Sequence, residues 1–122
     1  MLLLISLYFC HFLADWTPLS TSWMLRAKSI GKPIFPIFIH GLVHACLMTI
    51  ALFIFGYNSI CLINCFLIQL LSHTVIDTVK GKINVWSPIV KDQSKSWYWM
   101  VLGFDQFLHT LFIILIYFLT IK

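Results

Sequence analysis

The 122-residue chain is 61% hydrophobic and only 10% charged, with a mean hydropathy of +0.95. Soluble domains carry about 25% charged residues, so an ordinary water-soluble globule is excluded, leaving one small domain whose solvent is lipid. The net charge of +4 reflects eight Lys and Arg against four Asp; the bases lie in two short segments between apolar runs, a topology signal rather than a nucleic-acid footprint.

The first apolar stretch, Met1–Trp16, lacks a basic leader and a small-x-small cleavage site, so it reads as a membrane segment rather than a signal peptide. It falls short of the roughly 20 residues that cross a hydrocarbon core, and must thin the bilayer or be completed by residues after Trp16. A basic connector, Thr17–Pro33, follows with Arg26, Lys28 and Lys32. The second stretch, Ile34–Phe55, is joined by the tight, uncharged Gly56-Tyr57-Asn58 to the third, Ser59–Val79. A second basic connector, Lys80–Ser96, holds Lys80, Lys82, Lys91 and Lys95 against Asp92 and leads to the last stretch, Trp97–Ile121. Backbone groups in lipid must be satisfied within a segment, so all four stretches are expected to be helices. Pro18, Pro33, Pro36 and Pro88 fall between them or in a first turn, where proline is tolerated.

The expected fold is all-α: an integral membrane four-helix bundle forming a single transmembrane domain over residues 1–122. The positive-inside bias places both basic connectors in the cytoplasm and both termini outside, as in a multi-pass membrane protein. Trp16, Trp23, Trp86, Trp97 and Trp99 flank the cytoplasmic boundary, where an aromatic belt and ordinary loop packing read alike. Cys10, Cys46, Cys61 and Cys65 lie inside apolar runs as small hydrophobes, although Cys61 and Cys65, one helical turn apart, could also touch a metal.

Eight of the nine His and Asp residues form four pairs spaced i,i+4, one per expected helix: His11/Asp15, His40/His44, His73/Asp77 and Asp105/His109. Random placement would give on the order of 0.6 such pairs. Residues i and i+4 share one helix face about 6 Å apart along the axis, so two imidazoles, or an imidazole and a carboxylate, can reach one cation. Helices 1 and 3 descend to the cytoplasm and carry their pairs late; helices 2 and 4 rise from it and carry theirs early. All eight side chains are therefore expected in one slab. His11 to His73 and Asp15 to Asp77 are each separated by 62 positions, and His40 to Asp105 and His44 to His109 by 65. Two hairpins of one orientation imply a pseudo-two-fold axis along the membrane normal.

A single membrane histidine is usually an interhelical hydrogen-bond partner, but four pairs of costly ionisable groups point to a metal site. A proton or ion relay and bis-histidine haem ligation are the competing readings. Lys80 either pairs with Asp77, three residues earlier, or snorkels to lipid phosphate. Gln69, Ser72 and Gln106 are candidates to fix an imidazole tautomer, while Thr74, Thr78 and Thr110 suit interface packing.

His11-Phe12-Leu13-Ala14-Asp15-Trp16, Trp23-Met24, Lys28, His40, His44, His73-x-x-x-Asp77-x-x-Lys80 and Asp105-Gln106-x-x-His109 occur in an order that closely resembles the domain-of-unknown-function 3307 family of small bacterial membrane proteins. The resemblance covers nearly the whole chain and departs in the first connector, where Leu19-Ser20-Thr21-Ser22 stands in place of a frequent Gln and Asp. It implies a bacterial or phage membrane protein, multi-pass in the bacterial inner membrane, and carries no activity of its own. The chain is more loosely similar to membrane metal-dependent hydrolases, whose short helices also carry His and Asp at helical spacing.

The expected function is a metal-dependent hydrolase acting on a lipid or other membrane-embedded substrate. One or two divalent ions, zinc first, would be held by His11, Asp15, His40, His44, His73, Asp77, Asp105 and His109, lowering the pKa of bound water toward about 7. Any of Asp15, Asp77 and Asp105 not bound to metal would act as general base. The alternatives are a proton or divalent-cation transporter or channel, and a non-catalytic module stapled by a structural metal. Membrane lipid, a second copy or a larger membrane protein are the expected partners.

Overall fold

The computed structural model describes residues 1–121, and among them every regular element is helical. In chain order these are α1 (Leu2–Trp16), α2 (Ser22–Ile30), α3 (Ile34–Ile54), α4 (Ser59–Trp86), a 3-10 turn at Pro88–Lys91 and α5 (Ser96–Thr120). Helices α3, α4 and α5 are long and apolar enough to cross a membrane, consistent with a membrane protein; α1 is apolar but shorter. At 1.5 Å per residue the 28 residues of α4 reach about 42 Å.

Local chemistry sets the boundaries. Asn58 caps α4 by accepting from the Cys61 N–H at 3.0 Å, and Gly56, at φ 83°, takes the left-handed turn that separates α3 from α4. After α4, Asp92 accepts from the Ser94 N–H and hydroxyl at 3.0 and 2.7 Å, which closes the turn into α5 and holds the Asp92 carboxyl below its ordinary pKa.

Two boundaries differ from the hydropathy reading. Helix α4 runs seven residues past Val79, because Lys80, Lys82 and Asn84 interrupt apolarity without interrupting helix formation. The first connector is not irregular, since Ser22–Ile30 forms α2. Thr21 caps its start, accepting from the Met24 N–H, and Gly31 ends it in the left-handed conformation with its N–H bonded to the Ala27 carbonyl.

Helix α1 packs on α3 and α5, α3 on α4, and α4 on α5, while α2 lies across α3 and α4. Gly31 and Gly81 set how closely α2 approaches α4: a Cβ on Gly81 would lie 2.5 Å from both Gly31 Cα and the Lys28 carbonyl. Because successive long helices reverse, the connectors 17–33 and 87–95 share one end of the molecule and the 55–58 turn occupies the other.

The interior has two layers. Toward the 55–58 end, Leu3, Leu7, Met48, Leu52, Cys65, Ile113 and Ile116 form an apolar core. Toward the connector end lies a buried polar cluster of His11, His40, His44, Gln69, His73, Asp77, Asp105 and His109. The outer surface is apolar, with Phe9, Ile50, Phe53, Ile63, Leu71 and Phe104 exposed, the reverse of a soluble protein's arrangement. All five tryptophans are exposed and belong to the connector end.

Candidate metal centre

Helices α1, α3, α4 and α5 each turn one i,i+4 pair inward at the same level, and the four pairs meet. The His73 ring lies centrally, its centroid 3.6 Å from that of His44, 4.2 Å from His109, 5.1 Å from His40 and 5.7 Å from His11. The Nε2 atoms of all five histidines face two carboxylates. Around Asp15 they are His40 at 3.0 Å and His11 and His44 at 3.4 Å; around Asp77 they are His73 at 3.3 Å and His109 at 3.4 Å. His40, His44, His73 and Asp77 are wholly buried.

Among these approaches only His40 Nε2 to Asp15 Oδ1 is a hydrogen bond. Both ring nitrogens of His11 and His44, the Nε2 of His73 and His109, and both oxygens of Asp77 are buried with no hydrogen-bond partner. Unpaired buried polar atoms are costly, and several aimed at a shared space is the donor arrangement that a cation satisfies. Two sets offer ligand atoms within 4.8 Å of one another: Asp15 with His40, His44 and His73, and His73 with Asp77 and His109. Imidazole with carboxylate suits zinc and other divalent transition ions. Of the eight sequence-expected ligands, His11 and Asp105 join neither set. His11 faces Asp15, while Asp105 receives Lys80 Nζ at 2.7 Å and the Gln106 amide at 3.2 Å on Oδ2.

Lys28, on α2, is the functional residue that residue spacing missed. Its Nζ sits 3.0 Å from Asp15 Oδ1, 3.3 Å from Asp77 Oδ2 and 3.2 Å from His40 Nε2. Burial opposes its charge, yet Asp77 and Asp15 outweigh that and raise its pKa above the ordinary lysine value. A signal was available: Met24, Ala27 and Lys28 share one face of a helix bounded by the Thr21 cap and Gly31, and Met24 and Ala27 are buried.

Ser20 is a second such residue. Its hydroxyl donates to the Ala14 carbonyl at 2.6 Å, so at His40 Nδ1, 3.2 Å away, it can only accept. His40 therefore donates from Nδ1 to Ser20, while its Nε2 lies 3.0 Å from Asp15 Oδ1 and 3.2 Å from Lys28 Nζ. The Gln69 amide lies 3.4 Å from His73 Nδ1. Ser72 instead bonds the Gln69 carbonyl, and Thr74 and Thr78 bond carbonyls of their own helix. Lys80 pairs with Asp105 rather than with Asp77. Cys61 and Cys65, their sulfurs 3.9 Å apart, pack with the apolar layer.

Formal charges show what the site still requires. Lys80 balances Asp105, and Lys28 supplies one positive charge between the two carboxylates of Asp15 and Asp77. One buried negative charge is left over, surrounded by imidazole nitrogens.

A cavity of about 360 Å³ opens beside this cluster, with Lys28 and Lys80 on its wall, so a single side chain separates it from Asp15 and Asp77. No curated protein and no solved structure matches the chain. The model of one family, described as a protein of unknown function (DUF3307), matches residues 3–122, and the chain belongs to that family.

Proposed function

We propose that this protein is a metal-dependent hydrolase, built as a four-helix membrane bundle, which acts on a lipid or other membrane-embedded substrate. The observation that carries the reading is the inward convergence of five imidazoles and two carboxylates whose facing atoms mostly lack hydrogen-bond partners. Asp15, His40, His44 and His73 would hold one divalent ion, zinc first, and His73, Asp77 and His109 bear on a second. Such an ion supplies Lewis acidity and a nucleophile drawn from water at neutral pH.

The chain's own groups have separable roles. Ser20 holds the His40 tautomer, and Lys28 keeps the carboxylates of Asp15 and Asp77 from repelling each other. Asp105 is the carboxylate left outside both ligand sets; Lys80 and Gln106 anchor its Oδ2, while Oδ1 has no hydrogen-bond partner. It also lines an apolar groove between α4 and α5. It is the general base of this reading.

Two observations favour chemistry over the alternatives. A conduit needs a polar path through the bundle, but the layer beyond the cluster is closed by the fully buried Leu7, Met48, Leu52, Ile113 and Ile116. A structural staple needs no access, whereas the Lys28 and Lys80 cavity adjoins the cluster. The basic connectors and the exposed tryptophans support a cytoplasmic site and external termini.

Elemental analysis of the detergent-purified full chain is expected to find about one or two zinc-like ions per molecule. A wild type that is metal-free and stays so on titration with Zn²⁺ would overturn the proposal. Asp105→Asn is expected to retain the metal while losing about 100-fold in turnover, measured on chromogenic ester and phosphoester amphiphiles in mixed micelles. Unchanged turnover would remove Asp105 from the role of base.

A further inference from the structure

The cavity beside the cluster has its own chemistry. Lysines reach its wall from three elements: Lys28 from α2, Lys80 from α4 and Lys91 from the 3-10 turn. Ser29, Asn84 and Tyr98 add polar groups, and no carboxylate lies on the wall. Two of the ammonium groups are held from behind, Lys28 by Asp15 and Asp77 and Lys80 by Asp105, so they are already ordered. Lys91 has no ion-pair partner among the described residues. Lys28 and Lys80 leave one negative charge uncancelled on the three buried aspartates, so a divalent cation held there makes the site positive even before the exposed Lys91 is counted, and an anion in the cavity restores balance.

The cavity adjoins an apolar feature. A groove of about 200 Å³ between α4 and α5 shares Lys80 and Val101 with it. Val75, Val79, Ile83, Phe104 and Leu108 line the groove, and apart from Lys80 and Asp105 its walls are apolar. Val75, Val79 and Phe104 are exposed on the outer surface, the side that faces acyl chains in a membrane. A cationic chamber beside a lateral hydrocarbon slot fits an amphiphile with an anionic head and one apolar tail. A tetrahedral phosphate, with several acceptor oxygens, can meet three ammonium groups arriving from different directions.

We propose that the cavity and groove together bind a lipid phosphate, its head against Lys28, Lys80 and Lys91 and its hydrocarbon chain along α4 and α5. This names the substrate class of the hydrolase proposed above and rests on that reading for turnover; binding stands separately.

The test is binding of hexadecyl phosphate to the full chain in neutral maltoside micelles, followed by ³¹P NMR, with metal content measured on the same samples. Hexadecyl phosphate is expected to bind at least about tenfold more tightly than either hexadecanol, measured by competition, or inorganic phosphate. Lys91→Glu is expected to weaken binding by about tenfold or more, and Val101→Trp to reduce it by filling the junction. Lys95→Glu, the same charge change outside the cavity, is expected to stay within about twofold of wild type. Equal effects of Lys91→Glu and Lys95→Glu, equal competition by hexadecanol, or inorganic phosphate binding as tightly as the alkyl ester would each overturn the proposal. Hexadecyl phosphate bound as expected by a protein that takes up no metal would support the lipid site and overturn the hydrolase reading. Bound metal without a preference for the alkyl phosphate would do the opposite.

Discussion

His73→Ala is expected to empty the centre and bring turnover to background. His73 is the only residue common to both ligand sets, and its ring lies at the middle of the cluster, 3.6 Å from His44 and 4.2 Å from His109. Removing a partner that merely orients a ligand costs 10–100-fold in metal affinity, so loss of the shared ligand should exceed about 100-fold. His11→Ala is the informative comparison, because His11 faces Asp15 but joins neither set; its metal content should fall far less. Zinc titration of both variants in detergent, read by elemental analysis after gel filtration, separates them. Equal retention by His73→Ala and wild type would mean that the imidazoles pack against one another without holding an ion.

Lys28→Leu should have the largest effect on stability, with a sign that depends on metal. In chelator, the substitution leaves the carboxylates of Asp15 and Asp77 buried together without their shared cation. Breaking a buried ion pair by removing one partner costs about 3–5 kcal/mol, so the thermal midpoint in detergent should drop sharply. A divalent ion supplies the missing positive charge. Saturating Zn²⁺ is therefore expected to raise the midpoint of Lys28→Leu by more than it raises that of wild type. A variant as stable as wild type in chelator would show that the carboxylates are neutralised by something other than Lys28.

What the sequence disclosed and what it hid follow from the range of the forces involved. The i,i+4 pairs were legible because one helical turn returns a side chain to the same face, and because the cost of exposing His or Asp to hydrocarbon turns that face inward. The long helices were legible from apolar runs, and the all-helical class followed from backbone satisfaction. Helix α2 was hidden because its composition is mixed; hydropathy registers Arg26 and Lys28 as a basic connector, and only the Thr21 and Gly31 boundary signals report a helix. The extension of α4 to Trp86 was hidden for the same reason. Lys28, Ser20 and the Lys80–Asp105 pair depend on how the connectors fold back, and Lys80 and Asp105 are 25 positions apart. Asp77 is nearer to Lys80 in sequence, but it is turned into the cluster, where Lys28 meets it.

The apolar layer of Leu7, Met48, Leu52, Ile113 and Ile116 has a kinetic corollary. A reaction vessel sealed at its far end can discharge only toward the connectors or sideways along α4 and α5, so whatever is released must pass through the chamber that the next reactant's head group fills. For the proposed hydrolase the two occupants exclude each other, and inhibition by the polar product is expected to be strictly competitive. An exit through the apolar layer would instead let product leave while the next molecule waits, and would show as mixed inhibition.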